Sequence, residues 1–284
     1  MRNVWNRFLP SHLHERAGAL LTGLVLLTAA AAVIFPLFWL LMISLKTRQD
    51  IFTLPPRWIF RPTLENYRMV FRNSAFLSYL MNSIQATAFS TTFSIVIGSL
   101  AAYSFARLKP HHSEQLMFWI LSMRMLPPLA VIVPFHLMMT YTGLIDTIVG
   151  LSIVYTTFNL PIVVWLMTGY FSKVPVEIEE AALVDGCTKL EVFFRIALRL
   201  ALPGLVATWI LCAIFSWNEF AFALMLTGEG AKTLPVSISS WSTERGIEWG
   251  ALTASGFIII LPVLVFAMIV QRQLVKGLTF GAVK

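Results

Sequence analysis

Thirty residues in the middle of this chain, VPVEIEEAALVDGCTKLEVFFRIALRLALP from Val174 to Pro203, carry eight charged side chains between two apolar stretches long enough to cross a membrane. Glu177, Glu179, Glu180, Asp185, Lys189, Glu191, Arg195 and Arg199 cannot lie in hydrocarbon at that density, since each costs about 2.5–3.5 kcal/mol at a bilayer centre. The stretch is therefore a polar loop with its own local structure, and that structure reads as helical. Pro175 suits a helix start, acidic residues fill the first turns where the macrodipole favours them, and Ala181, Ala182 and Leu183 are strong helix formers. Gly186 then breaks or caps the run, and a second amphipathic piece with Leu190, Phe193, Phe194 and Ala197 leads to Pro203. Helix, glycine turn and helix make a knob that either merely links two spans or offers a partner something to grip.

Composition decides what surrounds the knob. Of 284 residues 57% are hydrophobic and 12% charged, with mean hydropathy +0.76, which marks an integral membrane protein and excludes a soluble one. The net charge of +7 is scattered between spans instead of gathered into a patch, so membrane topology explains it better than a nucleic-acid partner does. Cys187 sits in the charged loop and Cys212 in mid-span, giving no disulfide framework.

At about 20 residues per crossing, the chain holds six spans. Arg2, Arg7 and Arg16 precede an apolar run over about 17–45, which continues well past the small residues Ala29–Ala32 and so reads as an uncleaved first helix, not a signal peptide. His12 and His14, with no further ligands nearby, form a polar tail. Residues 46–76 are extramembrane, rich in turn residues, with Trp58, Phe60 and Tyr67 as interfacial anchors between arginines. Leu77 to Arg107 is the second span. Gln115 to about Thr140, interrupted by Pro127, Pro128 and Pro134, is the third. Ile145 to about Phe171 is the fourth, Leu200 to about Thr227 the fifth, and Gly250 to about Val275 the sixth, with a tail over 276–284. Twelve basic residues fall on the side of the two tails and the charged loop and eight on the other, so both tails are expected to be cytoplasmic.

Two ionisable residues, Arg124 and Glu219, sit where hydrocarbon should be. They form either a structural pair locking two helices or part of a pathway. Asn82 and Asn159 are further polar candidates that equally suit helix–helix hydrogen bonds. GEGAKT over Gly228–Thr233 superficially matches a phosphate loop, yet Ala231 and not glycine precedes Lys232 and no strand leads into it. No nucleophile–base set and no metal cluster stands out, so energy must come from outside the chain. One alternative is an ion- or proton-coupled secondary transporter working through Arg124 and Glu219, although the chain lacks the usual two-half repeat.

Glu180-Ala181-Ala182, with Gly186 four residues on and Ile196-x-Leu198 beyond, resembles the EAA signature of ABC-importer permeases. PPRWIFRPTLENY, RMLPP, WNEF and the tail KGLTFGAVK resemble segments of the carbohydrate branch, and of its maltose-type second permease subunit in particular. The resemblance covers nearly the whole chain. It implies an all-α integral membrane protein of six transmembrane helices, the type I ABC-importer permease fold, as a single permease domain over 1–284. It implies a coupling loop at 172–199, in which Glu180, Ala181, Ala182, Asp185 and Gly186 meet a cytoplasmic ATPase. Glu180 and Asp185 are then the polar grips, Ala181 and Ala182 the close-packing face, and Gly186 the turn. Asn82, Arg124, Asn159, Trp217, Asn218 and Glu219 become candidate pathway residues for a sugar or sugar-like solute. No cofactor is expected on this chain; ATP and Mg belong to the partner. The implied partners are a homologous second permease, two ATPase subunits and an extracytoplasmic binding protein. In one respect the chain departs from the family: proline commonly follows the Ile-x-Leu, and Arg199 stands there instead, with the next proline at Pro203.

Overall fold

The computed structural model describes residues 11–244 and 246–279, with the backbone alone at 11–17, 270 and 272–279. Arg2, Arg7, Arg245 and the end of the tail lie outside the described residues, as do the side chains of Arg16, Arg272 and Lys276. In chain order the helices are α1 Ser11–Ser44, α2 Arg48–Ile51, α3 Glu65–Arg72, α4 Ser74–Arg107, α5 Ser113–Ser122, α6 Pro128–Tyr141 and α7 Ile148–Phe171. Then come α8 Val176–Val184, α9 Lys189–Val192, α10 Leu198–Leu200, α11 Leu202–Trp217, α12 Ala221–Leu226, α13 Leu234–Ser237 and α14 Trp249–Thr279. Two-residue strands β1 Ser242–Thr243 and β2 Gly246–Ile247 pair just before α14. Apart from this short pairing the described residues form helices and loops, and the fold is of the all-α membrane-spanning class.

Four helical stretches are long and apolar enough to cross alone: Gly18–Ser44, Ser74–Arg107, Ile148–Phe171 and Trp249–Ile269. The third stretch expected to span is a bent pair, and the fifth opens at a bend with the end of the charged loop. Ser113–Met125 meets Pro128–Tyr141 at 91°, and Lys189–Leu200 meets Leu202–Trp217 at 77°. Backbone chemistry explains both bends. Each residue before a proline is pushed out of the helical region, and here Leu126 (ψ 125°) and Pro127 (ψ 130°) are extended, breaking the helix at the double proline. In the second pair Phe193–Ala197 is wound as a π-helix, Ala201 leaves helical geometry (ψ 2°), and Pro203 stands in the first turn of α11.

The chain divides into two compact units, one comprising residues up to Val70 with Ile247–Phe257, the other Phe71–Gly246 with Ile258 onward. In the first unit the segment after α1 is tied down by Asn66, whose Nδ2 donates to the carbonyls of Ser44 and Lys46 at 2.8 Å each. Lys46 is buried, with its ammonium over Trp39 (5.8 Å) and Phe60 (5.1 Å). Across the most apolar stretch of α1 none of the side chains is buried within the chain, a surface made for lipid or another helix.

The second unit is built on α4 packed along α7, with α11 against both. Close approach needs small residues, and α4 buries Ala86, Ser90, Ser94, Gly98, Ala102 and Ala106. A methyl group at Gly98 would sit 2.6 Å from Cγ1 of Val163, so only glycine allows this crossing. Two of the buried hydroxyls meet across the helices: Ser90 and Ser216 share a hydrogen bond of 3.1 Å, and Asn159 donates to Ser216 Oγ at 2.8 Å. Apolar clusters fill much of the rest. One surrounds Leu151, Val154 and Phe222, and another surrounds Met167, Phe171 and Phe193 beside the charged loop.

Candidate functional site

The charged loop forms two helices around a turn. α8 begins at Pro175 with Glu177 and Glu179 in its first turn. It ends in a Schellman motif: the amide of Gly186 donates to Leu183 O (3.1 Å) and that of Cys187 to Ala182 O (3.0 Å), with Gly186 at φ +93°. α9 starts with a capping box in which Thr188 Oγ1 accepts from the Glu191 amide (3.3 Å) and Glu191 Oε2 accepts from the Thr188 amide (2.9 Å). Glu180, Ala181, Leu183, Val184 and Asp185 are exposed, whereas Ala182 is buried against the protein. Of the two alanines in the motif, then, one packs inward and one is offered outward.

The residue holding the knob in place is Glu179, which is only 4% exposed. Its carboxylate accepts from Arg107 Nε at 3.0 Å to both oxygens, from Arg107 Nη2 at 2.7 Å, and from the Tyr103 hydroxyl at 2.8 Å. Arg107 Nη2 also donates to the Val174 carbonyl at 2.9 Å, and the Tyr103 ring packs on Phe171 and Phe193. A fork–fork pair of this geometry, shielded from water, pins α8 to the last turn of α4. Sequence reasoning passed over Glu179. The signal available was its helical spacing, three residues before the buried Ala182 on one face of α8.

Within the bundle a cavity of about 290 Å³ is lined by Arg124, Leu126, Pro128, Tyr155, Phe158, Asn159, Phe215, Ser216, Glu219 and Phe222. The break at Pro127 and Pro128 opens one wall, and the end of α11 forms another. Arg124 donates from Nη1 to Phe158 O (3.1 Å) and lies over the Phe215 ring (4.7 Å). Glu219 accepts the amides of Phe222 (3.0 Å) and Ala223 (3.1 Å), capping α12. The two charges share the cavity but make no ion pair with each other. Of the other sequence candidates, Asn159 lines the cavity. Trp217 is buried elsewhere, donating to Ile259 O at 2.9 Å, and Asn218 bonds back to Ile214 O at 2.8 Å. Asn82 holds the loop after α12, donating to the carbonyls of Gly230 and Lys232 at 3.0 Å each.

That loop contains the stretch resembling a phosphate loop, and its amides do cradle an anion, supplied by the chain itself. Asp146, at φ +55°, accepts from Gly228 (2.7 Å), Gly230 (3.1 Å) and Ala231 (2.8 Å). Glu229 beside it is held below the usual carboxylate range, first by the Lys232 ammonium and then by the Tyr79 hydroxyl. Hydrogen bonds to a charged group are each worth about 1.5–3 kcal/mol. Asp146→Ala is therefore expected to raise amide exchange at Gly228, Gly230 and Ala231 by at least about tenfold, while α7 amides keep their protection. Unchanged exchange would show that Asn82 alone shapes the loop.

Apolar helices, a charged loop clamped onto one end of the bundle and a polar cavity within it define a membrane permease. Residues 94–280 match the family described as binding-protein-dependent transport system inner membrane component. The trehalose transport system permease protein SugB of Mycobacterium tuberculosis is 36% identical over 256 residues, covering 88% of this chain and 92% of the relative. The trehalose/maltose transport system permease protein MalG of Thermococcus litoralis is 32% identical over 269 residues, covering 93% and 96%. A chain in the crystal structure of a bacterial ABC transporter involved in the import of the acidic polysaccharide alginate superposes with a TM-score of 0.78 at 23% identity, covering 93% of this chain and 98% of that one. The chain belongs to the binding-protein-dependent inner membrane components, the permeases of ABC importers.

Proposed function

We propose that the chain forms half of the translocation pathway of an ATP-driven importer for a sugar or sugar-like solute. α8 is its coupling helix, docking on a cytoplasmic ATPase. Both termini and the coupling loop face the cytoplasm. The complex contains a homologous second permease, two ATPase subunits carrying ATP and Mg, and an extracytoplasmic binding protein that delivers the solute. The trehalose and maltose named for the relatives support the solute class.

The observation that carries this reading is the exposed outer face of α8 on a helix whose inner face is clamped by Glu179 and Arg107. A rigidly mounted helix moves with whatever grips it. Closure of the ATPases then draws α8 along, and through Arg107 the end of α4, so that the permeases swing from inward-open to outward-open. Glu180, Ala181 and Asp185 supply the gripped surface, with Leu183 and Val184 as apolar contacts. Ala182 seats the helix, and Gly186 makes the turn. No step requires nucleotide on this chain.

Co-expression with the neighbouring genes tests the reading. The tagged chain is expected to bring an ATPase and a second permease through purification, and Glu180→Lys, on the exposed face, to reduce ATPase recovery at least about tenfold while the second permease stays. Recovery of the chain alone, with uptake driven by a proton gradient, would overturn the reading in favour of a secondary transporter.

A further inference from the structure

We propose that the cavity walled by α6, α7, α11 and α12 is a solute subsite belonging to this chain, and that it takes one neutral sugar ring. The inference rests on the carbohydrate-importer reading given above. Tyr155 motivates it first. This residue is 3% exposed and lines the cavity, and its hydroxyl, within electrostatic reach of Glu219, makes no hydrogen bond of normal geometry to any described group. Glu219 is already engaged, since its two oxygens take the amides of Phe222 and Ala223. A buried phenol hydroxyl left open in this way is a prepared donor and acceptor for something that enters.

The rest of the wall suits the same guest. Arg124 uses one nitrogen on the Phe158 carbonyl and holds its guanidinium carbon 4.7 Å from the Phe215 ring centroid, and it forms no ion pair with Glu219, which leaves further donors for a guest. Asn159 gives a proton to Ser216 and keeps its carbonyl oxygen as an acceptor. Phe158 and Phe222, with ring centroids 4.7 Å apart, offer an aromatic face for the C–H side of a pyranose. Donors and acceptors around aromatic faces are what a ring of hydroxyls requires. The charges of Arg124 and Glu219 offset one another, so the cavity favours a neutral ring over an anionic one. Its volume of about 290 Å³ lies at the bottom of the range of about 300–1,000 Å³ seen for ligand pockets, which limits the guest to one ring at a time.

The test uses the assembled transporter without binding protein, in which Cys187 and Cys212 are replaced and Leu126→Cys reports on the cavity. Labelling by a small methanethiosulfonate is followed with glucose or glucuronate present. Glucose is expected to slow labelling at least about threefold and glucuronate not to. Tyr155→Phe is expected to shift the glucose concentration for half-protection upward about three- to tenfold, the loss of one hydrogen bond. Arg124→Gln is expected to shift it further. No protection by glucose, or an unshifted curve in Tyr155→Phe, overturns the subsite, and stronger protection by glucuronate overturns the neutral class. The same preparation, reconstituted with binding protein, is assayed for ATP-driven uptake. If uptake is present without protection, the subsite alone fails; if the unmodified complex shows no ATP-driven uptake, the importer reading fails and the subsite with it.

Discussion

Replacing Glu179 by alanine is expected to cut ATP-driven uptake to background while the chain still reaches the membrane. The substitution leaves the Arg107 guanidinium buried beside Tyr103 with no carboxylate to meet it. Removing one partner of a buried ion pair costs about 3–5 kcal/mol, far more than the 0–1 kcal/mol typical of an exposed pair. That cost exceeds what the remaining contacts of a nine-residue helix supply, so the favourable response is release of α8 from the end of α4. Uptake in proteoliposomes and protease cleavage of the loop measure the two consequences. Arg107→Ala is expected to fall less far, because it strands a carboxylate that the Tyr103 hydroxyl still meets. Glu179→Gln, which keeps an acceptor for Tyr103, is expected to be intermediate. Wild-type uptake in Glu179→Ala would mean that the apolar seat at Ala182 and Phe193 holds α8 without the clamp.

Gly186→Asp is expected to reduce uptake tenfold or more with the protein still inserted, for a different reason. No atom lies within 4 Å of where a β-carbon would be, so no clash arises; the cost is conformational. At φ +93° an L-residue pays about 1–3 kcal/mol, which unwinding the Schellman turn relieves. Unwinding frays the last turn of α8 and so displaces Val184 and Asp185, part of the gripped surface. Aspartate also adds a negative charge at the negative end of the helix dipole, next to Asp185. Gly186→Asn carries the same shape without the charge, and its expected uptake lies between the wild-type and aspartate levels. Equal loss in both variants would assign the effect to the backbone alone, and normal uptake in Gly186→Asp would remove the turn from the coupling mechanism.

Much of the architecture was legible along the chain because the bilayer imposes a simple rule on composition. A run of about 20 apolar residues can cross, and a charged stretch such as Val174–Pro203 cannot. Local backbone rules also carried through: the helix start at Pro175, the turn at Gly186 and the amphipathic piece beyond it are all present. The bends were harder to see. Prolines 127, 128 and 134 look alike as interruptions, yet the chain bends by 91° at the first two and passes through Pro134 within α6. A proline inside a helix can be absorbed where neighbours satisfy the freed carbonyl, and the sequence does not say where those neighbours are.

The candidate site divides along the same line. That the loop is polar, helical and glycine-turned follows from its residues alone, since propensity, capping and charge act within a few positions. Which of its three neighbouring glutamates is a buried anchor, and that Arg107 is its partner 72 residues away, depends on how α4 and α8 meet. Likewise Arg124 and Glu219 announce themselves as costly charges, but only packing sends Glu219 to the amides of α12 and leaves Tyr155 open beside it. The amides of the phosphate-loop look-alike turn to Asp146 for the same reason. Local sequence decides which groups need partners; a long-range partner is chosen by the tertiary fold, because burial is what makes an unpaired group too costly to leave.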